Sequence, residues 1–91
     1  MMYKEVLIFT LPICPNCEKF KQILNDYNIP YNCKDLNDIN VYNMVYKEYI
    51  EKKEIDALIN GSTYVAEAPI VWVNGIYMEV SDALNMLGIK C

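Results

Sequence analysis

The 91-residue chain is long enough for one domain with a modest core, and such a core needs neither disulfides nor a metal to hold it. Its 54% hydrophobic content argues for a folded globule, while a net charge of -4, with all 8 cationic residues lysine, excludes the basic surface that a nucleic-acid backbone requires. There is no histidine to serve as base or metal ligand, and the first apolar run, Val6 to Phe9, is too short for a secretory core or a membrane span. The chain therefore reads as a cytosolic protein, off the membrane, with residues 1–91 forming a single domain.

In chain order, Val6 to Thr10 is a continuous β-branched and apolar run bounded by Pro12, the pattern of a buried strand. Leu11 to Ile13 form a loop. From Pro15, the apolar positions Cys17, Phe20, Ile23, Leu24 and Tyr27 follow helical spacing, and the helix is expected to end near Asn28, with Pro30 two residues on. Tyr31 to Asp35 is a second short strand that holds Cys33 as a core residue, and a strand, helix, strand order requires a right-handed crossover between parallel strands. Leu36 to Asn40 caps the next helical segment. There Val41, Met44, Val45, Ile55 and Ile59 share one side of a helical wheel, while Glu51-Lys52-Lys53-Glu54 leaves open whether the segment is one helix or two.

Asn60-Gly61-Ser62 stops that segment, and Thr63 to Ala68 leads into Pro69. Ile70 to Val73, Asn74-Gly75 and Ile76 to Glu79 read as a hairpin around a type I′ turn. Ser81 is expected to cap a last helix through about Leu87, with Asp82 in its first turn and Gly88 after its end. The element order is βαβ, helix, ββα, and the class is α/β.

The chemistry concentrates at Cys14-Pro15-Asn16-Cys17, where the first strand gives way to the first helix. A thiol at a helix N-terminus faces free N–H groups and the positive end of the helix dipole, which stabilise thiolate over thiol. Cys17, three residues on, lies on the same helical face and can attack a mixed disulfide formed at Cys14. Pro15 suits the first helical turn, which needs no N–H from it. Structural zinc would need two more ligands, and only Cys33 and the terminal Cys91 remain as thiols. Lys19 and Lys21 read as a solvated helix face, and Tyr64 and Tyr77 as core or boundary residues with a possible place beside a groove.

Taken together, this order, Cys14-Pro15-Asn16-Cys17, Ala68-Pro69 and the run Ile70 to Gly75 resemble the glutaredoxins within the thioredoxin-like fold, over nearly the whole chain. The resemblance implies a central four-stranded mixed sheet flanked by helices. It also implies a thiol-disulfide oxidoreductase in which Cys14 is the exposed nucleophile, Cys17 resolves, and Pro69 follows a cis bond and faces the thiols. The expected substrate-binding set is Pro15, Asn16, Ala68, Pro69, Ser81 and Asp82, with Ala68 offering its backbone to an extended substrate as an added strand would. Substrates would be protein or low-molecular-weight disulfides. The electron donor would be glutathione or a flavoprotein of the thioredoxin-reductase type, and no tightly bound cofactor is expected.

Three features set this chain apart from the family pattern at the glutathione site. Leu11 stands where dithiol members commonly carry a lysine for a glutathione carboxylate, Glu79-Val80 replaces a Gly-Gly after the fourth strand, and the segment before Pro69 is longer than in a small glutaredoxin. Ser81-Asp82 does match the family's helix start, which receives the γ-glutamyl group. Two other functional classes stay open at this stage: a thioredoxin-fold binding module that recognises a partner around Pro69 and Ser81 without turnover, and a metal- or iron-sulfur-binding protein.

Overall fold

The computed structural model describes residues 5–89, so Cys91 lies outside the described residues. The elements are β1 (Val6–Thr10), α1 (Pro15–Asp26), β2 (Asn32–Asp35), α2 (Ile39–Val45), a π-helical turn (Tyr46–Ile50), α3 (Glu51–Ile59), β3 (Ile70–Val73), β4 (Ile76–Met78) and α4 (Val80–Met86). They build the thioredoxin-like α/β fold: one mixed sheet in the order β2-β1-β3-β4. β1 runs parallel to β2, and antiparallel pairing joins β1 to β3 and β3 to β4.

The side-chain alternation of the strands divides the interior into two cores. Val6 and Ile8 of β1, Val71 and Val73 of β3 and Met78 of β4 point to one face, where Phe20 and Leu24 of α1 and Ala83 of α4 cover them. Phe9 and Ile70 point to the other face and meet Val45, Tyr49 and Ile50, with Leu7, Trp72 and Tyr77 packed around them. A shift of register by one residue would exchange these two sets.

Local sequence explains the ends of the elements. Asn28 adopts a left-handed φ of 57°, and Ile29 N–H donates to the Leu24 carbonyl at 2.9 Å, closing α1 in a Schellman motif. Gly61 and Gly88 end α3 and α4 in the same way, with φ of 76° and 75°. Asp38 caps α2 through Oδ1, which accepts from Asn40 N–H at 2.9 Å. Asn74 and Gly75 both have positive φ, the requirement of a type I′ turn, and the Asn74 side chain accepts from Glu5 N–H at 2.7 Å to tie the turn to the start of β1.

Several expectations are corrected. Residues 39–59 are a single continuous helical run, but Glu51 N–H donates to the Tyr46 carbonyl five residues back, so the middle turn is π-helical. One extra residue in a turn rotates everything downstream by about 100° relative to an unbroken α-helix. Ile55 and Ile59 therefore leave the face of Val45: Ile59 is 77% exposed, Met44 also faces outward, and α3 buries no residue. Cys33 is exposed rather than in the core, because β2 is an edge strand whose four residues all face solvent. Glu79, not Ser81, occupies the N-cap position of α4, and no side chain completes that cap.

Candidate functional site

Cys14 is the N-cap residue of α1, held in an extended conformation (φ -130°, ψ 97°) with Pro15 in the first helical turn. Its Sγ accepts from Cys17 N–H at 3.2 Å, so sulfur takes the place that a serine or aspartate oxygen usually fills at a helix start. Cys14 and Cys17 are joined as a disulfide with Cα atoms 5.2 Å apart, a spacing that one helical turn supplies. The two sulfurs are unequal in access: Cys17 is 1% exposed, whereas Cys14 is only partly buried.

Opposite the disulfide stands the segment from Tyr64 to Pro69. The Ala68–Pro69 peptide bond is cis, Pro69 is buried, and the Ala68 carbonyl oxygen lies 3.9 Å from Cys14 Sγ. In the disulfide, Cys14 has no proton to donate, so this is a contact; in the dithiol the same placement lets a Cys14 thiol donate to that oxygen. Ile13, immediately before Cys14, has a φ of 53° and is 99% exposed. A β-branched residue rarely occupies the left-handed region, and here it turns the side chain wholly into solvent beside the disulfide.

Two grooves flank this ridge and share Tyr64, Val65, Glu67, Ala68 and Ile70 as walls. The first, of about 380 Å³, is closed by Asn16, Lys19, Phe20 and Ile23 of α1 and by Glu79, Val80 and Ser81 at the entry to α4. The second, of about 470 Å³, is closed by Leu11, Leu36, Asn37, Tyr42, Ile50 and Glu54. Of the predicted binding residues, Asn16, Ala68, Pro69 and Ser81 line the first groove; Pro15 and Asp82 line neither. Tyr64 lines both, while Tyr77 turns away into the second core and its hydroxyl donates to Glu48 at 2.6 Å.

Carboxylates outnumber cations among the charged residues of the lining. Glu67 and Glu79 share the lining of the first groove with Lys19, and among the described residues no cation joins Glu54 and Glu67 in the second. Among the described residues the ion pair is Lys21 with Glu18, at 3.2 Å on the surface of α1, so no described cation forms a salt bridge with Glu67 or Glu79. Behind the ridge, burial pushes the Tyr64 phenol up, and the negative charges of Glu79 and Glu67 add to it. Burial likewise raises Tyr49, followed by Tyr64, Glu79 and Asp82; its hydroxyl lies beside Tyr64 without reaching hydrogen-bond geometry. No periodicity marked Glu67 in the sequence; its position next to Ala68-Pro69 was the only available signal.

Among the described residues, no group of three His, Cys, Asp or Glu side chains converges as metal ligands would, and no helix is long and apolar enough to cross a membrane. Set against known proteins, residues 6–78 match the sequence model of the glutaredoxin family. No curated protein matches the chain at a significant level.

Proposed function

This chain belongs to the glutaredoxin family, and from that premise we propose that it is a thiol-disulfide oxidoreductase acting through a Cys14–Cys17 dithiol/disulfide cycle. The observation that carries the reading is the Cys14–Cys17 disulfide at the N-terminus of α1, with the Ala68 carbonyl 3.9 Å from the more accessible sulfur. In the reducing direction, the Cys14 thiolate attacks one sulfur of a substrate disulfide. A Cys14–substrate bond forms as the substrate's own S–S bond breaks, and the other sulfur leaves as a thiolate that takes a proton from water. The Cys17 thiolate then attacks Cys14 Sγ and releases the second substrate thiolate, so two electrons pass from the dithiol to the substrate.

The geometry supports this division of labour. The Cys17 N–H that donates to Cys14 Sγ, together with the positive end of α1, stabilises a Cys14 thiolate, and burial keeps Cys17 from meeting bulky disulfides directly. Ala68 and Pro69 supply the wall against which an extended substrate aligns, and Asn16 and Ser81 border the same groove. A thiol or a flavoprotein dithiol returns the protein to its reduced form.

Cys17→Ser is expected to accumulate a mixed disulfide on Cys14, visible as an added substrate mass that dithiothreitol removes. Cys14→Ser is expected to lose disulfide-reductase activity by about 10³-fold or more, because no other group replaces the attacking thiolate. Full activity in Cys14→Ser would overturn the assignment. The donor is identified by comparing turnover with glutathione plus glutathione reductase against turnover with a thioredoxin reductase.

A further inference from the structure

Resting on that redox reading, we infer that the grooves beside the disulfide select disulfides carrying positive charge next to the sulfurs and disfavour anionic ones such as glutathione disulfide. Glu67 directly precedes Ala68, whose carbonyl oxygen lies 3.9 Å from the accessible sulfur, and it lines both grooves. Glu79 lines the first groove with it and Glu54 the second. Among the described residues, Lys19 is the sole cation of the lining, and Glu67 and Glu79 have no ion-pair partner. A substrate sulfur that approaches Cys14 along Ala68 brings its neighbouring groups into the grooves these carboxylates line, whose field attracts ammonium and repels carboxylate.

Glu67 and Glu79 are exposed and Glu54 is half-buried, so the effect of the first two acts mainly on the rate of encounter and is screened by salt. The phenols of Tyr64 and Tyr49 respond to the same field: Glu79 raises both. An anionic tripeptide finds here Leu11 on one side of the ridge and Glu79 on the other, neither of which can pair with a carboxylate.

The test follows oxidation of the reduced, desalted protein in single turnover by cystamine (cationic), hydroxyethyl disulfide (neutral) and glutathione disulfide (anionic). Each rate is divided by the same disulfide's rate with dithiothreitol, which removes differences in intrinsic reactivity. At about 10 mM salt, cystamine is expected to exceed glutathione disulfide by about tenfold or more, and the ratio to shrink to about two- or threefold near 0.5 M salt. In the double variant Glu67→Gln/Glu79→Gln the ratio is expected to collapse toward unity, with the neutral disulfide's rate as the internal reference for each variant.

Equal normalised rates, a preference for glutathione disulfide, or a ratio indifferent to the double substitution would each overturn the inference while leaving the redox reading intact. Failure of all three disulfides to oxidise the cysteine pair would overturn the redox reading and this inference with it. Disulfide-linked peptides with lysine or glutamate beside the cysteine identify the source of the charge. A lysine peptide faster than cystamine points to a polypeptide running along Ala68, and the reverse order to a small aminothiol disulfide.

Discussion

The two faces of the sheet hold the fold by different means. Under α1 and α4 the core is aliphatic apart from Phe20, with no polar side chain to satisfy: Val6, Ile8, Leu24, Val71, Val73, Met78 and Ala83 lose water and pack. Under α2 and the π-helical turn the core is phenolic, with Tyr49 stacked on Tyr77 at 5.5 Å and Phe9 5.8 Å from Tyr77. There each hydroxyl needs a partner: Tyr77 finds Glu48, Tyr46 finds Glu54, and Tyr49 finds none among the described residues. The first face depends on volume alone, whereas the second adds hydrogen bonds to carboxylates and therefore responds to pH.

The largest expected difference lies in the response to truncation. Leu24 is fully buried beneath α1, and Leu24→Ala is expected to cost about 2–5 kcal/mol in chemical denaturation, a large part of the stability of a domain this small. A loss below about 1 kcal/mol would mean that the aliphatic face collapses around the gap.

On the phenolic face, Tyr49→Phe removes a buried hydroxyl that has no partner among the described residues and is expected to be neutral or to stabilise by up to about 1 kcal/mol. Destabilisation beyond about 1 kcal/mol would show that the hydroxyl is held after all, by Tyr64. Burial also raises the Tyr49 and Tyr77 phenols above their ordinary value, so the folded protein keeps protons that the unfolded chain releases. Their contribution to stability is complete below about pH 10 and declines as pH rises above it. Denaturation followed from about pH 8 to 12 should show this decline in the parent protein and less of it in Tyr49→Phe. Equal decline in both would locate the sensitivity elsewhere.

A further gain, about 0–2.5 kcal/mol net, is expected where Ile13 precedes Cys14. Its side chain packs against nothing and its backbone is left-handed, so Ile13→Gly should relieve about 1–3 kcal/mol of strain against about 0.5–1 kcal/mol of added chain entropy. A thermal midpoint that falls would show the isoleucine to be supported by contacts in the folded state. The smallest effect is expected at Leu58 of α3, 75% exposed beyond the π-helical turn: Leu58→Ala should change stability by no more than about 0.5 kcal/mol.

Much of the architecture follows from chain-local physics. Alternation in β1 and β3, the spacing of Cys17, Phe20 and Leu24, left-handed Asn28, and the Asn74-Gly75 turn each depend on a few adjacent residues, and those elements stand where the sequence places them. Cys14-Pro15-Asn16-Cys17 likewise carries its own geometry, because one helical turn brings its ends together wherever the helix begins.

What the sequence could not reveal depends on partners distant in the chain. A π-helical turn looks like any other helical stretch until one knows that it seats Tyr49 and Ile50 together against Phe9 and Ile70, and that choice turned Ile55 and Ile59 outward. Cys33 reads as a core residue because it lies in a strand and free cysteine packs as a small hydrophobe, but only the sheet order makes that strand an edge. The cysteine motif by itself determined where sulfur chemistry can occur. The tertiary structure decided what surrounds it, because Glu67, Glu79 and Glu54 come from separate segments and act together only where the fold brings them to the two grooves.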